Sequence, residues 1–308
     1  MQASDEKTPL FNKPKRWLEI FVFWIIIAVV LKVLSIATDP IAAEKPELYV
    51  SRDRNAMAGL MEEPDTLDVL VVGDSEAMVM VSPSTLMDEA GISSFNCNQL
   101  GQRIYETYHY LQKILEKQHP QVIIIETNII IHEVSVKIEP QLAVNALAEE
   151  TFPFLRYHNN WRWLAGLTPA DEYEADRGFE PVEVIKPYSG DQYMFETDES
   201  LKLDPITIYY LNKIDELLKE KGIDYIFVSS PSSVNMDYPK HNVIQAYADA
   251  YGVDFIDFNL MTDEIGLDWS KDTGDSGDHI NTYGTDKTTK YLMNYLKENY
   301  DLPDHRND

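Results

Sequence analysis

The chain is poor in cysteine. Of its 308 residues only Cys97 is one, so no disulfide can close within it. Cys97 sits in Ser94-Phe-Asn-Cys-Asn98 with no histidine nearby, and reads as a buried structural thiol rather than a nucleophile. Positive charge is also scarce. Lys and Arg number 26 against 52 Asp and Glu, a formal net charge of −26. Such a chain repels nucleic acid and anionic lipid surfaces, so no nucleic-acid partner is expected. Beyond that exclusion the acidity describes a solvated surface and says little about a substrate. Internal repeats and low-complexity tracts are absent, and long apolar runs are missing after the first forty residues. What is present is an ordinary hydrophobic fraction of 44%, enough for a full core in one large or two small domains.

The exception among apolar runs is Trp17 to Ala37, preceded by Lys13, Lys15 and Arg16. Twenty-one residues of helix span about 30 Å, the thickness of a bilayer core. Glu19 lies near one end, and Lys32 is close enough to the other to snorkel. Trp17 and Trp24 suit an interfacial or upper-leaflet position. The basic cluster predicts a cytoplasmic N terminus (1–16), a single-pass anchor (17–37) and an extracellular remainder. A cleaved signal peptide competes, because Ser35-Ile-Ala37 resembles a small-residue cleavage site. The apolar region is long for one, and a buried core helix would have a polar face, so the uncleaved anchor is preferred.

Residues 38–66, with Pro40, Pro46 and Pro64, read as a stalk and lead-in. Buried strands and amphipathic helices then alternate. Strands are predicted at 67–72, 92–96, 121–127, 223–229 and 253–258. Helices are predicted at 83–90, from 104 to before Pro120, and at 204–221, 238–251 and 282–299. This alternation predicts an α/β domain over 67–300, with a five-stranded parallel sheet covered by helices on both faces, and a short tail at 301–308. Residues 132–200 interrupt it with many aromatic residues and five prolines. They read either as a lid or binding surface, or as an irregular cap held by its own aromatic side chains.

The domain is organised around Asp68-Val-Leu-Val-Val-Gly-Asp-Ser-Glu76. Its apolar run is a strand buried on both faces. Ser75 then falls at the strand's carboxyl end, the edge where open α/β sheets bind ligands. A serine hydroxyl needs a base and a group to orient that base. Over two hundred residues later, Asp275-Ser-Gly-Asp-His279 supplies both. His279 is the candidate base, and either Asp278 or Asp275 the orienting acid, with Asp278 slightly preferred. Candidate oxyanion donors are the backbone N–H groups of Ser75 and Gly101 and the side-chain amide of Asn128. Taken singly, Gly101 reads rather as a helix entry and Asn128 as a turn cap. Asp272, Asp275 and Asp278 do not have calcium-loop spacing, so neither a metal nor a cofactor is expected.

In this order Gly73-Asp-Ser75, Gly101, Asn128 and Asp275/Asp278 with His279 resemble the four blocks of the SGNH (GDSL-like) hydrolases, over roughly residues 66 to 300. The resemblance implies a three-layer, flavodoxin-like α/β/α fold and ester chemistry on Ser75. Two blocks depart from the pattern. The third reads Glu126-Thr-Asn128-Ile instead of Gly-x-Asn-Asp, and the last lacks Asp-x-x-His. The anchor, the Glu76 variant and the aromatic insertion are similar to a membrane-anchored branch. That branch includes the D-alanyl-transfer protein of teichoic-acid modification and SGNH partners of membrane-bound O-acyltransferases. It implies a serine esterase or O-acyltransferase acting on acyl esters, acetyl among them, of an extracellular glycan or wall polymer. The competing expectation is a non-catalytic assembly or glycan-binding partner of such an acyltransferase.

Overall fold

A computed structural model of the chain describes residues 14–39, 54–131, 144, 148–149, 151–167 and 176–306. The start of the N terminus, the stalk at 40–53 and the insertion at 132–143, 145–147, 150 and 168–175 lie outside the described residues. Two compact units are distinguished, one formed by 1–45 with 147–170, the other by 46–146 with 171–308.

The first unit holds helix α1 (Pro14–Thr38). Its stretch Lys15–Thr38, of mean hydropathy 2.8, could cross a membrane. Apolar side chains such as Trp17, Phe21, Val33 and Ile36 stand exposed, while Ser35 and Thr38 at the end of α1 are buried, so most of the helix is not committed to a protein core. Short helical turns at Phe154–Tyr157 and Trp161–Leu164 accompany it. The Phe154 N–H donates to Ser35 Oγ at 3.0 Å and Asn160 Nδ2 to the Thr38 carbonyl at 3.0 Å. Lys32, expected to reach toward a membrane surface, donates to the Thr151 carbonyl at 3.2 Å.

The second unit is the sheet domain. Residues 54–61, within the predicted stalk and lead-in, form helical turns that bury Ala56 and Ala58. Strand β1 (Val69–Gly73) leads into helix α2 (Ser75–Met80), then α3 (Pro83–Ala90), β2 (Ser94–Asn98), α4 (Ile104–Ile114) and β3 (Val122–Glu126). After the insertion come α5 (Pro205–Lys221), β4 (Asp224–Ser229), α6 (Tyr238–Tyr251), β5 (Phe255–Asp257) and α7 (Thr282–Asn299). The strands are all parallel, in the order β2-β1-β3-β4-β5. That order is the flavodoxin-like one, and its direction reverses between β1 and β3.

Side-chain alternation explains the layers. Val69, Val71, Val122, Ile124, Ile226, Val228 and Ile256 share one buried cluster with Met80, Leu86, Leu292 and Leu296 of α2, α3 and α7. On the other side α4 packs against α5, burying Ile104, Leu111, Leu211, Ile214 and Leu218. Local signals set the helix starts. Ser82, Asp204, Asp237 and Asn281 each accept a first-turn backbone N–H, and proline follows within the first two positions in α3, α5 and α6.

The described part of the aromatic insertion within this unit, residues 176–200, forms no regular element apart from an Asp176–Phe179 bridge. It runs as an extended strap. Glu180 N donates to the Met78 carbonyl (3.0 Å), Lys186 N to Thr273 (2.9 Å) and Tyr188 N to Trp269 (3.0 Å); in return Thr282 N donates to Val182 (2.9 Å) and Ser276 N to Lys186 (3.0 Å). The rings of Tyr188 and Tyr193 lie edge-on to Trp269, at 5.7 and 5.9 Å. Main-chain bonds and these two rings hold the stretch in place. It braces the loop between β5 and α7.

Candidate active site

The register aligns Gly73 with Asn98 and Glu126 with Val228, so the strands end along one edge. Ser75 follows β1 there and Asn128 follows β3, the two strands that flank the reversal of order. That crevice is where open α/β sheets bind ligands.

Ser75 opens α2. Asp74 caps the helix by accepting Glu76 N through Oδ1 at 3.0 Å. The far end of α2 is held by α7, where Thr285 Oγ1 donates to the Val79 carbonyl (2.5 Å) and Thr288 Oγ1 to the Met80 carbonyl (2.6 Å). A six-residue helix is too short to be stable alone, and these side chains fix it against the core.

His279 meets Ser75. Its Nε2 lies 2.9 Å from Ser75 Oγ across 204 residues of sequence. Its Nδ1 lies 2.6 Å from Asp275 Oδ2, and its backbone N–H donates to Asp275 Oδ1 at 2.6 Å. Asp278 Oδ2 is 3.8 Å from Nδ1, beyond hydrogen-bond reach. The carboxylate bonded to the ring is thus Asp275, and not the slightly preferred Asp278. The reason is local. Ser276 and Gly277 both take positive φ, 70° and 99°, which folds the chain back on itself. Thr273 Oγ1 accepts Gly277 N (2.7 Å) and donates to the His279 carbonyl (3.0 Å). A carboxylate four residues back thus reaches the ring without an Asp-x-x-His spacing. Asp272, Asp275 and Asp278 diverge, to Lys287, His279 and Asn235 respectively.

Asn128 is buried, and its Nδ2 donates to Asp74 Oδ2 at 2.8 Å. An amide nitrogen carries two hydrogens, and one is committed to Asp74. Its backbone N–H faces both oxygens of Glu126, at 3.1 and 3.0 Å. Gly101 lies in an exposed turn beyond β2, at φ 61°. A Cβ there would meet nothing within 4 Å, so its backbone conformation, not close packing, calls for glycine. Cys97 is fully buried, and burial pushes its thiol far up.

Two carboxyl groups beneath the serine were not singled out as site residues from sequence. Glu76 and Glu126 are 1% and 2% exposed. Burial pushes the Glu76 carboxyl up to about 8, with nearby His279 opposing and Asp74 adding to the rise. Burial likewise holds Glu126 well above the usual carboxylate range, reinforced by Asp74 and Glu76. Both line a small cavity with Thr127, Asn128, Ser230 and Asn235. The imidazole of His279 is pulled down by burial, but the carboxylate of Glu76, the Asp275 bond and Asp278 outweigh this and raise it above 6.5. Glu76, Asp278 and His279 each offer one ligand atom within 4.8 Å of the others. Because Ser75 and Asp275 already occupy both ring nitrogens, a metal there would have to displace one of them. A sequence signal for Glu76 existed, a charged residue in an apolar helix directly after the candidate nucleophile.

No family model and no curated relative matches the chain. Among solved structures it is similar to a Bacteroides fragilis protein provisionally assigned as an acylhydrolase, with 14% identity and a TM-score of 0.43 over 80% of this chain and 96% of that one. It is also similar to an acetyl xylan esterase, at 13% identity and TM-score 0.39 over 75% and 98%. A Streptococcus pneumonia protein provisionally named as a platelet activating factor gives 15% and 0.34, over 92% and 100%. At these distances the functional reading rests on the site's own geometry.

Proposed function

We propose that the chain is a serine esterase or O-acyltransferase that works through an acyl-enzyme on Ser75. One observation carries the reading: a single imidazole joins a serine hydroxyl on one nitrogen, at 2.9 Å, to a carboxylate on the other, at 2.6 Å. That arrangement is what a weak hydroxyl nucleophile needs.

Ser75 Oγ attacks the ester carbonyl while His279 Nε2 takes the hydroxyl proton. Asp275 keeps the hydrogen on Nδ1, so that Nε2 is free to accept, and it stabilises the imidazolium that forms. The oxyanion is met by the backbone N–H groups of Ser75 and Gly101 and by the second hydrogen of Asn128 Nδ2. His279 then gives its proton to the leaving alcohol, and the acyl group remains on Ser75. Water as acceptor completes hydrolysis; a sugar hydroxyl completes transfer, with His279 accepting its proton in turn.

The apolar α1 supports a membrane-anchored enzyme, and the basic residues before it support a cytoplasmic N terminus with an extracellular domain. The resemblance to the membrane-anchored SGNH branch supports acyl esters of a surface glycan or wall polymer as substrate, and a membrane-bound O-acyltransferase as partner. The test is covalent labelling of the full chain, in detergent, with a fluorophosphonate probe. The wild type should be modified on Ser75 and Ser75→Ala should not. Absence of labelling in the wild type would refute the acyl-enzyme and leave a binding partner as the function.

A further inference from the structure

Glu76 is a costly residue to place where it is. Its Oε1 accepts from Asn235 Nδ2 at 2.8 Å, while Oε2 is buried with no hydrogen-bond partner among the described residues. An unsatisfied buried polar atom is destabilising, and an apolar side chain of similar shape would avoid the penalty. The core therefore gives no reason for a carboxyl group at this position, but its neighbours do.

The Asn235 nitrogen that donates to Glu76 also donates to Asp278 Oδ1, at 2.7 Å. One NH2 group thus spans from the helix that bears the nucleophile to the loop that bears the base. Ser232 Oγ supports the bridge by donating to the Asp278 carbonyl (2.7 Å) and accepting the Asn235 N–H (3.1 Å). Ser233 N donates to the Gly277 carbonyl (2.8 Å). The loop after β4 is stitched to residues 277–278 in this way, and Glu76 is its attachment on the Ser75 side.

We propose that Glu76 is a positioning residue of this site, holding the Asp278–His279 end of the base loop against α2 through Asn235. The inference rests on the acyl-enzyme reading above. Glu76 is faced by Asp74 from its own turn, by Glu126 from the end of β3, and by Asp278 and His279 from the base loop. His279 also meets Asp275, and Lys240 Nζ donates to the Asn235 carbonyl at 2.7 Å. Within that set His279 is the group whose charge Glu76 most directly favours.

The experiment is the rate of fluorophosphonate inactivation of the full chain, compared among wild type, Glu76→Ala, Glu76→Gln and Asn235→Ala. Glu76→Ala and Asn235→Ala each cut the bridge, so each rate should fall about tenfold, a loss of about 1.4 kcal/mol. Glu76→Gln keeps an acceptor for Asn235 and should react about threefold or more faster than Glu76→Ala. A Glu76→Ala or Asn235→Ala rate equal to wild type, or a Glu76→Gln rate no better than Glu76→Ala, overturns the proposal. If wild type is not labelled on Ser75, it is the acyl-enzyme reading that has failed. If wild type is labelled and the variants are unaltered, only the role of Glu76 has.

Discussion

Replacing Asp275 with asparagine distinguishes the two acids of the base loop. The carboxylate makes two bonds of 2.6 Å to one residue, to the ring Nδ1 and to the backbone N–H of His279. Asparagine has one oxygen for two donors. If that oxygen faces the ring, its NH2 group confronts the backbone N–H. If it faces the backbone, its NH2 donates to Nδ1, and the ring hydrogen moves to Nε2, where it blocks proton acceptance from Ser75. Either orientation loses a hydrogen bond to an ionised group, about 1.5–3 kcal/mol, or roughly ten- to a hundredfold in rate. In the well-known protease case the wrong tautomer cost about 10⁴. Asp275 is 38% exposed, so water screens it and the expected loss is nearer a hundredfold.

Asp278→Asn is the control. Its carboxylate is equally exposed and 3.8 Å from Nδ1, and asparagine keeps an acceptor for Asn235 Nδ2. Its kcat should stay within about threefold of wild type. The assay is hydrolysis of p-nitrophenyl acetate by the full chain at saturating substrate, with KM measured alongside. A loss in Asp278→Asn equal to or greater than that in Asp275→Asn would refute the assignment and return the orienting role to Asp278.

Two further predictions concern the same sheet edge. Asn128→Ala should lower kcat by about 10²-fold with little change in KM, as expected when a donor to a developing oxyanion is removed; steady-state kinetics would show it, and a rise in KM alone would argue against the role. Gly73→Ala should destabilise the fold by about 1–3 kcal/mol, because its Cβ would lie 2.7 Å from the Cβ atoms of Ala77 and Glu126. A thermal melt at or above the wild-type midpoint would show that the turn beneath Ser75 can yield.

Much of this protein is written locally. Val69–Val72, Val122–Ile125 and Tyr225–Val228 are apolar on both faces, and only a parallel sheet covered on two sides buries such runs. Ser82-Pro83, Asp204-Pro205 and Asn281 mark helix starts because each cap contacts a backbone within three residues. Ser75 and His279 stand out in sequence for a related reason, since each falls where an element with a strong periodic signal stops or starts. The orienting acid was not legible. Asp275 and Asp278 are equivalent as letters, and the choice between them depends on a turn at Ser276-Gly277 whose positive φ is held by Thr273 and by the strap at 182–188. Glu76 is not legible as a site residue because sequence shows that it is charged but not that it is buried. Its environment is assembled from α2, the loop after β4 and the base loop, segments up to two hundred residues apart. Patterns of a few residues record the forces acting along the chain, whereas the distances and proton affinities of a site arise from groups that meet only when the sheet is complete.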